Sequence, residues 1–284
     1  MVFKRYLDSL CVRYPRVMAR LMGEWPLVSV ANLYKKVEVA SCLVDAHELG
    51  IPRNIYQTWL QPELGKSHAA TLAHFKAMNP DCSFWLYGSA DMDAYMQQYY
   101  GTHPIYEVYT SAQFGPVKTD IWRYCILFER GGFYFDINKM VDVPLNTIVD
   151  PTDVAVISYE KNPLPAYLPE GSAALAHPDR LILNWGFGFA KGHPLLAAVI
   201  NNIVGDYPKF KNVRVPNVKE AVLNLTGPHQ LTKTIHALAA STKLNMCEAG
   251  VDFYGHGNAN IRGSWVRYAA MTSYSRATDG VIVT

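Results

Sequence analysis

Paired cysteines are missing from this 284-residue chain: its five, Cys11, Cys42, Cys82, Cys125 and Cys247, are odd in number and widely spaced, with no CxxC among them. That pattern argues against both a disulfide framework and a zinc site. Reduced thiols in a cytoplasmic setting are the expectation. An excess of charge is also missing. Twenty-six basic residues against twenty-four acidic leave +2, so there is no general electrostatic reason to expect a nucleic-acid partner. Finally, no run of about 18 apolar residues is present to span a bilayer, and no continuous apolar segment precedes a small-residue cleavage site. The chain is expected to be soluble, or at most peripheral to a membrane.

What is present is apolar material, half of all residues, enough for one large core with or without an appendage. The most informative stretch runs from Gly115 to Val143. Val117, Ile121, Trp122, Cys125, Ile126, Leu127 and Phe128 recur at helical spacing over Pro116 to Arg130, and Gly131-Gly132 supplies a permissive end. Asp120 and Arg123 stand three apart and share one face of that helix, where they can contact each other or converge on one ligand. After the glycines the period becomes two: Phe133, Phe135 and Ile137 point one way, Tyr134, Asp136 and Asn138 the other. This predicts a strand. Asp136 and Asn138 would then put two oxygen-bearing side chains on one side near its carboxyl end, where open α/β sheets place ligands. A hard cation, Mg²⁺ or Mn²⁺, takes such ligands and completes its shell from phosphate and water. A nucleotide diphosphate would suit the site.

The run KTDIWRYCILFERGGFYFDIN resembles the core of the glycosyltransferase family with the DXD sugar-binding motif, which includes initiating α-1,6-mannosyltransferases and bacterial polysaccharide transferases. The clostridial glucosylating toxins share that core, written SDxxR followed by GGxYxDxD. Thr119, Asp120 and Arg123 match the first piece; Gly131, Gly132, Tyr134, Asp136 and Asn138 match the second. One position departs from it. Asn138 replaces the second acid of DXD, keeping a carbonyl oxygen but removing a negative charge.

The resemblance continues in order along the chain. IPRNIYQTWL is similar to the family's opening strand, and Trp59 matches the tryptophan that lies against the nucleotide base. A helix over Ser67 to Ala77, a turn at Asn79-Pro80-Asp81, the strand SFWLYG and a helix over Asp91 to Tyr100 alternate as in a parallel sheet with crossover helices. Thr102 to Phe114 is expected to be an irregular approach to the central helix. Asp142 is expected to be a solvated carboxylate, and DVAVISYE a buried strand. Lys161 to Arg180, rich in Pro, Gly and Ala, is expected to form a long irregular loop suited to acceptor recognition or to a plain surface insertion. In LILNWGFGFAKGHPLLAAVI, Asn184 matches an asparagine whose amide could bond a donor-sugar hydroxyl or the departing phosphate; a turn role is the alternative. Thr226-Gly227-Pro228 resembles the family's TGP entry to a helix whose free N–H groups suit a phosphate or sugar oxygen. His229 and His236 read as packing or surface residues. His256, among glycines, is a candidate late metal or diphosphate contact, and Ser264-Trp265 resembles the element that closes over the diphosphate, with Arg262 or Arg267 as added charge.

The expected fold is α/β of the GT-A type, a mostly parallel central sheet flanked by helices, over residues 51–284. Residues 1–50 are expected to be a helical extension. Its Lys4, Arg5, Arg13, Arg16 and Arg20, interleaved with apolar residues, would lie in water or touch an anionic membrane through residues 1–25. The resemblance implies transfer of a hexose from a UDP- or GDP-sugar to a saccharide or glycolipid hydroxyl, with retention and with Mn²⁺ or Mg²⁺. It implies Asp120, Arg123, Asp136 and Asn184 as catalytic groups. Trp59, Tyr134, Asp120, Arg123, Asp136, Asn138, Ser264 and Trp265 would bind the donor, and Asp136, Asn138 and His256 the metal. A non-catalytic nucleotide-sugar-binding relative and a protein-modifying transferase are the alternatives.

Overall fold

The computed structural model describes residues 14–34, 50–163, 175–241, 245–258, 261–264, 277 and 279–284. A seven-stranded sheet divides the chain into two cores. Its strands are β1 (Asn54–Thr58), β2 (Ser83–Tyr87), β3 (Gly132–Phe135), β4 (Ala155–Pro163), β5 (Arg180–Ile182), β6 (Gly186–Phe189) and β7 (Cys247–Val251). The spatial order is β7-β4-β6-β3-β1-β2, with β5 paired to β4. Pairs β1/β2, β1/β3 and β4/β7 are parallel, while β6 runs against both β3 and β4, and β5 against β4. The sheet is therefore mixed and mostly parallel.

The period of two in the aromatic strand decides which core each ring enters. Phe133 and Phe135 pack in one cluster with Leu72 and Phe75, and Tyr134 packs in the other with Trp122 and Phe187. The first of these clusters is roofed by α2 (Lys66–Met78), which follows a short α1 (Pro15–Leu21). The second is roofed by α3 (Ser89–Tyr100), α4 (Pro104–Ser111), α5 (Gly115–Arg130), α6 (Pro194–Asp206), α7 (Val218–Leu225) and α8 (Pro228–Ser241).

Helix α5 is the buried centre of that layer. Val117, Ile121, Trp122, Tyr124, Cys125, Ile126 and Leu127 are all fully enclosed, and burying each large apolar side chain is worth about 1.5–3 kcal/mol. The helix stops because Gly131 and Gly132 turn the chain at φ +64° and +113°, backbone that a side chain rarely adopts. Space demands glycine there as well, since a Cβ on Gly132 would lie 2.6 Å from the Asn54 carbonyl oxygen.

Two sequence expectations are corrected. Thr102 to Phe114 is not irregular: His103 accepts a bond from the Ile105 N–H, Pro104 occupies the first turn, and Ile105, Val108 and Tyr109 bury one face of α4. The strand after the double glycine also ends earlier than alternation predicts. It stops at Phe135, and Asp136 to Lys139 forms a turn closed by the Lys139 N–H on the Asp136 carbonyl at 2.8 Å. Ile137 still joins the core of Phe133 and Phe135, but Asp136 and Asn138 sit on a turn.

Of the expected helical extension, residues 1–13 and 35–49 lie outside the described residues. Between them come α1, a two-residue strand Val28–Ser29 paired antiparallel with Glu63–Leu64, and a 3-10 turn at Val30–Asn32. Val28, Val30, Leu33 and Tyr34 pack on the core beneath α2, and the Tyr34 hydroxyl donates to Gln57 at 2.6 Å. Most of the Lys161 to Arg180 loop, residues 164–174, lies outside the described residues; of its ends, residues 161–163 still belong to strand β4 and residues 175–179 lead into β5.

Candidate functional site

Asp120 is presented from the middle of α5, just beneath the carboxyl end of β3, and is buried. Its Oδ1 lies 3.1 Å from an Arg123 guanidinium nitrogen and accepts from the Asn184 amide at 3.0 Å; its Oδ2 accepts from the Thr226 hydroxyl at 3.0 Å. A charge this deep persists only when paired and hydrogen-bonded. Burial nevertheless pushes its carboxyl up to about 6, against the opposing pull of Arg123 and the Thr226 and Asn184 bonds.

Arg123 completes the bridge from helix to turn. Its guanidinium is 4.2 Å from the Tyr134 ring centroid, 3.5 Å from the Asp136 carboxylate, and donates to the Asn184 carbonyl. The Tyr134 hydroxyl donates to Asp136 Oδ1 at 2.6 Å. Both of these partners engage the same oxygen, and the Asp136 side chain keeps 32% of its surface exposed. One face of that carboxylate therefore looks outward. Asp120, Arg123, Tyr134, Asp136 and Asn184 thus form one continuous polar network, drawn from α5, β3, the turn after it and the residues before β6.

Two further members escaped the sequence reading. The Tyr124 hydroxyl donates to Asn184 Oδ1 at 2.8 Å and also reaches the Thr226 carbonyl at 2.9 Å. Thr226 was singled out for the helix it introduces, whereas its hydroxyl is what touches Asp120. Asn184 is consequently held on both ends of its amide, by Asp120 and by Tyr124. His68 is a third addition. Its Nε2 is 2.8 Å from the Ile137 carbonyl inside the Asp136–Lys139 turn, and its ring meets Trp59 edge-on at 5.7 Å. Trp59 itself is partly buried and donates from its indole to the Glu63 carbonyl at 3.3 Å.

The remaining candidates lie further from the network. Asn138 stands in the turn with its carbonyl 3.5 Å from the Ile261 N–H. His256 faces Asp142: Nδ1 is 2.9 Å from the carboxylate, and the Asp142 N–H donates to the His256 carbonyl. Asp142 is exposed, as expected of a solvated carboxylate, its side chain keeping 62% of its surface, and it pairs there with His256. Among the described residues no group of three or more His, Cys, Asp or Glu side chains is placed to hold a metal, and the partner of the His256 ring is Asp142. Ser264 ends a turn in which its N–H bonds the Ile261 carbonyl at 3.2 Å. Trp265 and Arg267 lie outside the described residues, and Arg262 is directed at Glu24, 3.6 Å away. His229 bonds Asn224 and His236 is buried. The thiols of Cys82 and Cys247 are pushed up to about 12 and 11, chiefly by burial, so both stay protonated.

An outward-facing carboxylate, Asp136, two residues from the Asn138 amide in the turn after a central strand and backed by a buried arginine, is a donor set that fits a hard cation sharing its shell with phosphate. Residues 55–155 match the glycosyltransferase sugar-binding region containing DXD motif. The chain is similar to the initiation-specific alpha-1,6-mannosyltransferase of Candida albicans, 24% identical over 206 residues, covering 65% of this chain and 52% of that protein. It is also similar to inositol phosphoceramide mannosyltransferase 3 of Schizosaccharomyces pombe, 30% identical over 181 residues, covering 63% of this chain and 43% of that protein. It spans about half the length of these relatives. A solved PaToxG glycosyltransferase superposes with a TM-score of 0.48 at 15% identity, covering 84% of this chain and 80% of that one. The likeness to the DXD sugar-binding region is thus carried by residues 55–155, which span α2, α5 and the strands β1 to β3.

Proposed function

We propose that the chain transfers a hexose from a UDP- or GDP-sugar to a hydroxyl of a saccharide or glycolipid, with Mn²⁺ or Mg²⁺ as cofactor and retention at the anomeric carbon. The observation that carries the reading is the continuous Asp120–Arg123–Asp136 network at the carboxyl end of β3. The names of the two relatives favour mannose as the hexose.

In this reading Asp136 and Asn138 hold the cation, which when bound supplies neutralising charge to the leaving diphosphate. Asp120 accepts hydrogen bonds from donor-sugar hydroxyls, and its pairing with Arg123 fixes it so that no reorganisation is needed as charge develops. Asn184 and Thr226 hold Asp120 and leave it ionised above pH 6, the direction of their bonds to its two oxygens. Tyr134 fixes the inner oxygen of Asp136, leaving the outer one for ligand. Trp59 offers an aromatic surface for the base, and Ser264 belongs to the segment that covers the diphosphate.

The acceptor reading includes lipid-linked saccharides because α1 and the turn after it expose apolar side chains. Val17, Leu21, Met22 and Trp25 stand in solvent beside Arg16 and Arg20, a composition suited to peripheral contact with an anionic membrane. No described helix is long and apolar enough to cross one. A second reading, a non-catalytic nucleotide-sugar binder, draws on Asn138, whose amide removes a charge from the cation site. Calorimetric titration with UDP- and GDP-sugars, with and without Mn²⁺, separates the two: metal-dependent binding followed by slow donor hydrolysis supports the transferase. Metal-independent binding without hydrolysis favours the binder.

A further inference from the structure

Glu24, from the segment that precedes the matched region, is 1% exposed, an unusual place for a carboxylate. Its Oε2 accepts from the Ser67 N–H at 2.7 Å, and its backbone carbonyl accepts from the Lys66 N–H at 3.1 Å. These are two of the N–H groups that a helix start leaves unpaired, and a negative charge there is favoured by the helix dipole. Capping α2 accounts for one oxygen. The other, Oε1, lies 3.6 Å from the Arg262 guanidinium.

The contact with the 261–264 segment is one of backbone as well as charge. Gly263 sits at φ +79°, and a Cβ there would lie 2.5 Å from Glu24 Oε2. A Cβ on Gly65 would lie 2.8 Å from the Gly263 carbonyl oxygen. The late segment is thus pressed directly onto Glu24 and the start of α2. At its other end the buried Ile261 gives its N–H to the Asn138 carbonyl. From α2, His68 reaches the Ile137 carbonyl of the same turn.

Glu24 therefore reaches the Asp136–Lys139 turn by two routes, one through α2 and His68, the other through Gly263 and Ile261. We propose that Glu24 is a positioning residue for donor binding, fixing the Ile261–Ser264 segment against the turn that carries Asp136 and Asn138. This inference rests on the transferase reading. It makes the stretch before the matched region a structural part of the donor site.

Two variants separate this role from simple helix capping. Glu24→Gln keeps an oxygen for the Ser67 N–H but removes the charge facing Arg262. Gly263→Ala keeps the Glu24 charge but puts a Cβ 2.5 Å from its Oε2, so the late segment and the carboxylate are pushed apart. Donor KM is expected to rise about tenfold in both, the loss of roughly one charge-assisted contact, with kcat and acceptor KM near wild type. Hydrogen exchange in the absence of donor is expected to quicken at the Ile261 and Ser264 amides. Loss of thermal stability with unchanged donor KM in both variants, or unchanged exchange at those amides, would overturn the proposal. If wild type binds no nucleotide sugar at all, the transferase reading fails and the donor role with it, and exchange alone then decides whether Glu24 fixes the segment.

Discussion

Asp120 is the residue on which the site's electrostatics turn, because its carboxyl is pushed from its usual 3.8 up to about 6 by burial. The sign of the consequence differs for stability and for function. An acid that binds its proton more tightly when folded contributes most to stability below its unfolded value, and that contribution is lost as pH rises through 3.8 toward 6. Donor binding needs the ionised form, so its affinity is predicted to fall as pH drops through about 6, two units above an ordinary aspartate. Donor titrations from about pH 3 to 8 check this. An acid limb near 4 would place the controlling group elsewhere. Asn138→Asp is the second test at this scale: restoring the missing acid is predicted to tighten Mn²⁺ binding by about tenfold, the order of one added charge-assisted ligand. Unchanged Mn²⁺ dependence would remove Asn138 from the cation site. These residues were legible one at a time, since DxN and the Asp–Arg pair stand close in sequence. Asn184 and Thr226 were also singled out by resemblance, but their meeting with Asp120 was not legible. Asn184 and Thr226 reach Asp120 from 64 and 106 positions away, and no local period encodes such a meeting.

Among the elements, α5 and β3 were read from pattern alone, because a buried amphipathic run followed by two glycines and alternating aromatics leaves few other solutions. The double glycine is where that geometry is most exposed to test. Gly132→Ala would combine a φ of +113° with a Cβ 2.6 Å from the Asn54 carbonyl oxygen, and is predicted to cost about 2–4 kcal/mol. Chemical denaturation measures it, and a loss below 0.5 kcal/mol, as for ~ordinary surface changes, would contradict the tight β1/β3 junction. Helix α4 was missed because it is only eight residues long and is capped by histidine, an unusual N-cap. The end of β3 was misjudged for another reason. Ile137 keeps the alternation going on the core side even after the backbone has turned, so the pattern outlasts the strand.

At the scale of the whole molecule, the sheet sets two cores back to back and brings residues from α5, the turn after β3, the approach to β6 and the link between α7 and α8 together at the carboxyl end of β3. The order of motifs made the alternating part of this architecture readable from residue 51 onward. The reversal of β6 between β3 and β4 was not readable, since a glycine-and-phenylalanine strand gives no sign of its direction. Nor was the tie between Glu24 and the late segment, which joins the two ends of the described chain. The central claim is that a cation held at Asp136 activates a nucleotide-sugar donor. The most direct test is donor hydrolysis by wild type and Asp136→Ala across a Mn²⁺ titration, with thermal melting as the control for folding. The account predicts Mn²⁺-dependent hydrolysis by wild type and none by a folded Asp136→Ala at any Mn²⁺ concentration. Equal hydrolysis by the two proteins would contradict it.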